Sequence, residues 1–128
     1  MNLKPVYALV PGLFFASKIV KTAQAMGLEA RTFDSSEKLL QASKQKEPAL
    51  VMMDCVGLEK EAFRLLEAFR KEGLLSKIHQ IGYLSHGSQD LKREMRSAGC
   101  EQVYTKSEFV EELENLLMRH AHGLPSRV

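Results

Sequence analysis

Short apolar runs alternate with longer amphipathic stretches along the whole chain. Val6-Tyr7-Ala8-Leu9-Val10, Ala49-Leu50-Val51-Met52-Met53, Ile81-Gly82-Tyr83-Leu84 and Gln102-Val103-Tyr104-Thr105 are each too short for a helix. Pro48 and Gly57 bound the second of these runs. Continuous apolar runs of this length read as strands buried on both faces. Glu29 to Phe33 is a fifth, shorter strand. Between the strands the spacing switches to the helical period. Phe15 to Met26 carries Ile19, Val20, Ala23 and Met26 as one stripe and stops at Gly27. Asp34-Ser35-Ser36-Glu37 has the form of a capping box, opening a helix with Leu39, Leu40 and Ala42 inward. Leu58 to Lys71 turns Ala62, Phe63, Leu65, Leu66 and Phe69 to one side and ends before Gly73. A helix from about Ser88 to Ser97 ends at Gly99. Ser107 is the expected N-cap of the last helix, whose buried stripe is Phe109, Val110, Leu113, Leu116 and Leu117. Glu108, Glu111 and Glu112 suit that helix's positive end.

Five βα units in succession predict an α/β domain. Right-handed crossovers give a doubly wound parallel sheet with five helices on its two faces. For five strands the flavodoxin-like order 2-1-3-4-5 follows, with its switch point between the first and third strands. Residues 1–120 form one domain in this reading, and residues 121–128 a frayed tail.

Composition narrows the function classes. The 128 residues carry a net charge of +2 with no clustered basic arm, which argues against a nucleic-acid partner. No stretch is long and apolar enough for a membrane span, and no signal-peptide pattern opens the chain. Two cysteines, Cys55 and Cys100, make no disulfide framework and read as buried, reduced and inert thiols. A cytoplasmic protein is expected.

The chemistry collects at the carboxyl ends of the strands, where open α/β sheets bind their ligands. Asp54 ends the third strand, Ser85 follows the fourth, and Lys106 follows the fifth. The first strand ends in Val10-Pro11-Gly12 and supplies no acid. Asp54 and Lys106, at neighbouring strand ends, are expected to form an ion pair. Leu13-Phe14-Phe15 is expected to pack into the core at the start of the first helix. His86 reads as a solvated loop residue, and His120-x-His122 as a tail pair too weak to count as a metal site.

In order and spacing the chain resembles the receiver domain of bacterial two-component response regulators, from about Lys4 to Arg119. The resemblance rests on Gly27, on Pro48-Ala49-Leu50-Val51-Met52-Met53-Asp54, on Ser85, on Gly99 and on Lys106. It implies that Asp54 stands at the phosphoacceptor position and that Ser85 and Lys106 stand at the phosphate-contact positions. It also implies a Mg²⁺-binding acidic pair at the end of the first strand, but those positions are Val10 and Pro11. The residue after the lysine is Ser107 rather than proline, and the loop after Asp54 reads Cys55-Val56-Gly57-Leu58-Glu59. The aromatic position three before the lysine is Val103, with Tyr104 on the opposite face of the strand.

Mg²⁺ takes hard oxygen ligands, and valine and proline side chains have none. Metal binding is therefore expected to be weak or absent, with no cofactor and no enzymatic activity. The chain reads as a degenerate receiver acting as a signalling protein-interaction module. Two alternatives remain: a receiver phosphorylated on Asp54, and a flavodoxin-like cofactor-binding protein or enzyme. The latter is disfavoured because Pro-Gly-Leu-Phe-Phe offers few phosphate donors. The resemblance implies a protein partner, such as a histidine kinase or a regulatory protein. It also implies a partner face of Lys92, Arg93 and Arg96 on the fourth helix with Glu111, Glu112 and Glu114 on the fifth. A weak homodimer through that face is expected.

Overall fold

The computed structural model describes residues 4–85 and 89–121, and within these the side chains up to residue 119. The elements alternate in chain order: β1 (Val6–Leu9), α1 (Phe14–Ala25), β2 (Ala30–Phe33), α2 (Ser36–Gln45), β3 (Leu50–Asp54), α3 (Glu59–Lys71), β4 (His79–Leu84), α4 (Gln89–Ser97), β5 (Gln102–Thr105) and α5 (Lys106–Ala121). The sheet is parallel, in the order β2-β1-β3-β4-β5. The expected fold class is thus observed. His86, His122 and the side chain of His120 lie outside the described residues.

The two-residue period of the strands divides the core into two layers. Val6, Ala8, Leu50, Met52, Ile81 and Tyr83 face α1 and α5, and pack on Ile19, Ala23, Phe109, Leu113 and Leu117. Tyr7, Leu9, Val51 and Met53 face the other way, toward Leu39 of α2, the α3 stripe Ala62, Leu65, Leu66 and Phe69, and Met95 of α4. Two helices therefore cover one face and three the other. Val103 belongs to the second layer and Tyr104 packs against the first, as the strand alternation requires.

Local chemistry sets the element ends. Gly27 sits at φ 76°, the left-handed conformation that closes α1 at little cost to glycine. Ser35 caps α2 by accepting the Lys38 N–H at 3.1 Å. The box expected of Asp34 and Glu37 is thus shifted, with Ser35 as the cap, and Glu61 of α3 accepts the Ser36 N–H at 2.8 Å and so ties the two helices together. The start of α5 differs from expectation. Thr105, not Ser107, is the cap: its Oγ1 accepts the Glu108 N–H at 3.2 Å while Glu108 Oε1 accepts the Thr105 N–H at 2.8 Å. This reciprocal box satisfies two helix-end donors at once and starts α5 directly at the end of β5. Within the α5 stripe, Val110 is 38% exposed rather than buried.

Gly82 is the tightest backbone approach in the sheet. A Cβ there would stand 2.2 Å from Met95 Cε and 3.6 Å from the sulfurs of both Cys55 and Cys100. The missing side chain is what lets the α4 methionine reach the sheet. Gly82→Ala is expected to destabilise the fold by about 1–3 kcal/mol through overpacking. Urea unfolding checks this: a lower midpoint at unchanged slope is expected.

Candidate functional site

Asp54 is the last residue of β3, and its carboxylate is 95% buried at the rim beside the switch point between β1 and β3. A carboxylate in that position needs partners, since an unpaired buried charge is very costly. The chain provides them from within. Oδ1 accepts the N–H groups of Val56 at 2.8 Å and Gly57 at 2.9 Å, an Asx turn that leads the chain out of β3 toward α3. Oδ2 accepts the hydroxyl of Tyr83 at 2.9 Å. Asp54 and Tyr83 are register partners on adjacent strands, so their side chains stand on the same face.

Tyr83 is the site residue that sequence reasoning missed. Its ring is fully buried, stacks on Phe109 of α5 at a centroid distance of 4.5 Å, and meets Phe15 of α1 edge-on at 5.4 Å. Phe15 and Phe109 are themselves 5.8 Å apart. Burial, and then the Asp54 charge beside it, push the tyrosine hydroxyl well above its usual range, so it stays protonated and donates. The alternation groups residues 50, 52 and 54 of β3 and residues 81 and 83 of β4, but only the register sets Tyr83 beside Asp54.

Lys106 does not pair with Asp54. Its ammonium lies over the Phe15 ring, 5.2 Å from the centroid. The expected ion pair fails for two reasons. The carboxylate oxygens are already taken by amides and the phenol, and the capping box makes Lys106 the first residue of α5. The cation–π contact is worth about 0.5–1 kcal/mol at an exposed site. Ser85 is exposed just beyond β4 and makes no hydrogen bond to Asp54. The structure thus places Asp54, Ser85 and Lys106 on one rim, as expected, but does not bring their polar atoms together.

The positions that would complete a Mg²⁺ site do not fit the ion. Val10 is buried, and its backbone N–H continues the β1–β2 ladder to Phe33 O at 2.9 Å. The Pro11 ring packs on Gly57, where a Cβ would lie 2.9 Å from Pro11 Cγ. Of Val10, Pro11 and Asp54, only Asp54 has a carboxylate, and both of its oxygens are already engaged. Among the described residues no group of three His, Cys, Asp or Glu side chains could hold a metal ion.

The rim surface also corrects an expectation. Leu13 and Phe14 are 86% and 87% exposed, and only Phe15 of that trio turns into the core. At helical spacing Phe15 falls in line with Ile19 on the inner side of α1, which leaves Phe14 on the outer side. Cys55 and Cys100 are buried free thiols, as expected. Burial drives both pKa values upward, Cys100 to about 12, which makes them poor nucleophiles.

The Asp54–Tyr83 bond should be measurable in a double-mutant cycle. Tyr83→Phe removes one partner of a buried carboxylate and is expected to cost about 1.5–3 kcal/mol of stability. In the Asp54→Asn background the same change is expected to cost less by at least about 0.5 kcal/mol, the coupling typical of residues in contact. Equal costs in the two backgrounds would show that the bond contributes nothing.

No protein-family model matches the sequence, and no curated protein matches it. Solved structures do match. A response regulator from Hahella chejuensis superposes with a TM-score of 0.79 at 17% identity, over 97% of this chain and 99% of that one. The chemotaxis protein CheY4 of Vibrio cholerae gives 0.79 at 18% identity, over 93% of this chain and 99% of that one. NtrX of Brucella abortus gives 0.76 at 16% identity over 97% of this chain, which spans 28% of that longer protein. At these identities the likeness is one of fold alone: this chain has the doubly wound fold of these response-regulator and chemotaxis proteins.

Proposed function

We propose that this chain is a degenerate receiver: a signalling protein-interaction module that does not carry out Mg²⁺-dependent phosphotransfer. The observation that carries this reading is the occupied state of the Asp54 carboxylate. Two loop amides and the Tyr83 hydroxyl hold both oxygens, and the neighbouring strand end offers valine and proline in place of acids. Phosphoryl transfer depends on positioning and on neutralising charge, and a divalent ion supplies several kcal/mol of that stabilisation. Here an incoming phosphoryl group would meet an anionic carboxylate that is already hydrogen-bonded. The nearest rim cation is turned onto an aromatic ring. Each ~1.4 kcal/mol forgone slows the step about tenfold, so transfer slower by orders of magnitude follows.

A receiver without transfer chemistry still has surfaces for partners. On the α4–β5–α5 side, Arg93 and Arg96 are exposed on α4, and Glu111 and Glu114 on α5. Arg93 is drawn into a pair with Asp90 of its own helix, which reduces the charge it offers outward. A histidine kinase or a regulatory protein is the class of partner this fold suits. Among the described residues no helix is long and apolar enough to cross a membrane.

The test is an amide-shift titration with Mg²⁺ and beryllofluoride. The expected result is no saturable response at the amides of Val56 and Gly57, and no mass gain after incubation with a small phosphodonor. A saturable response that is lost in Asp54→Ala would establish the phosphorylatable receiver instead. Val10→Asp with Pro11→Asp is expected to raise Mg²⁺ affinity only modestly, because Tyr83 and the loop amides still hold Asp54. Adding Tyr83→Ala is expected to raise it further, as read by calorimetry on the folded variants.

A further inference from the structure

The outer surfaces of α1 and α5, the two helices that share one face of the sheet, are complementary in charge. Helix α1 reads Phe-Phe-Ala-Ser-Lys-Ile-Val-Lys-Thr-Ala-Gln-Ala and contains no acid. Its buried side is Ala16, Ile19 and Ala23. The side directly opposite is Phe14, Lys18, Lys21 and Ala25, all exposed. Among the described residues Lys18 and Lys21 make no ion pair, although five pairs there link side chains three or four residues apart. Helix α5 buries Phe109, Leu113, Leu116 and Leu117. Opposite them stand Ser107, Glu111, Glu114 and Met118, all exposed. Met118 is 49% exposed, and neither glutamate is ion-paired among the described residues.

The two outer stripes have the same spacing, i, i+4, i+7 and i+11. Position by position they read large apolar, basic, basic, small on α1 and small, acidic, acidic, large apolar on α5. We propose that this face is the interface of an isologous dimer, in which α1 of one copy lies on α5 of a second copy and the reverse contact forms alongside. The inference goes beyond the degenerate-receiver reading and does not depend on Asp54.

The register follows from symmetry. Crossover helices all run antiparallel to the strands, so α1 and α5 are parallel to each other. A two-fold axis lying between them and along them exchanges α1 with α5 and preserves each residue's height. The heights already agree within one molecule. Both helices begin at the carboxyl rim, and the Phe15–Phe109 contact near their starts levels them. Lys18 is the fifth residue of α1 and Glu111 the sixth of α5, while Lys21 is the eighth and Glu114 the ninth. At about 1.5 Å per residue these pairs stand at nearly equal height. The axis therefore sets Lys18 against Glu111 and Lys21 against Glu114 of the second copy, four ion pairs in all. It also seats Phe14 over Ser107 and Met118 over Ala25, large against small. Rim charges mainly govern encounter rate and salt dependence, so the dimer is a transient one. The α4–β5–α5 face would use the same glutamates, so the two contacts exclude one another.

Sedimentation velocity over a concentration series tests this with a charge swap. At about 0.1 M salt the chain is expected to show a reversible dimer. The dissociation constant is expected to rise at least tenfold near ~1 M, where the screening length falls from about 10 Å to about 3 Å. Lys18→Glu/Lys21→Glu makes both helices acidic, and Glu111→Lys/Glu114→Lys makes both basic. Each variant alone is expected to be monomeric, and an equimolar mixture is expected to regain the dimer. Arg93→Glu/Arg96→Glu is expected to leave it intact. All these positions are exposed, and circular dichroism verifies that the variants fold; Lys18→Ala/Lys21→Ala serves if a reversal does not. A wild-type monomer at every concentration, a dimer that survives the α1 reversal, or a mixture that stays monomeric would each overturn the proposal. So would a chain that stays monomeric yet binds anionic phosphatidylserine vesicles through Leu13 and Phe14.

Discussion

A single buried carboxylate governs the rim of this sheet. Asp54 is carried to the switch point by a strand that is apolar on both faces, and it is left 5% exposed. A charge so placed is tolerated only with strong hydrogen bonds to its oxygens. The chain meets that requirement with its own amides and one phenol, and the surrounding geometry follows. The Asx turn fixes the path of the Val56–Gly57 loop, and that loop gives the Pro11 ring a surface to pack on. Tyr83 is held upright by its bond to Oδ2 and becomes the centre of an aromatic cluster that joins β4 to α1 and α5.

The same cluster explains why Lys106 leaves the carboxylate. Phe15 offers the ammonium a ring face, and the Thr105–Glu108 capping box pins the first turn of α5 at the strand end. Two local interactions, each worth about 1 kcal/mol, hold Lys106 in place, and the Asp54 oxygens are satisfied without it.

How much of this the sequence revealed depends on the range of the interaction. The five strands and their helices were legible because buried parallel strands are short apolar runs and because glycine stops helices where expected, as Gly27 does. The order 2-1-3-4-5 followed from connection rules alone. The rim positions of Asp54, Ser85 and Lys106 were legible as strand ends, but their contacts were not. Contacts depend on side chains from elements far apart in sequence, such as Tyr83 on Asp54 and Phe15 on Lys106. Ser107 was preferred as a cap because serine is a good one, yet Thr105 has the glutamate three residues on that completes a box. Leu13 and Phe14 were assigned to the core on hydrophobicity alone. Their phase relative to Ile19 puts only Phe15 on the inner side, and that test was available in the sequence.

The β1 end carries no acid, and the start of α1 that follows it faces two ways. Inward, the Phe15 ring packs on Tyr83 and Phe109. Outward, Leu13 and Phe14 stay in solvent beside Lys18 and Lys21, with no carboxylate on the helix to balance them. An apolar, basic surface that serves neither the core nor a metal site costs solubility, and a monomer gains nothing from it. The outer side of α5 carries the opposite charge at the same spacing and in the same layer. Charge segregated between two neighbouring parallel helices is unfavourable to neither fold nor site, and it gives a second molecule a defined way to approach. The inner aromatic cluster fixes the relative height of α1 and α5, so residues packed against the sheet also set the register of the surface outside it.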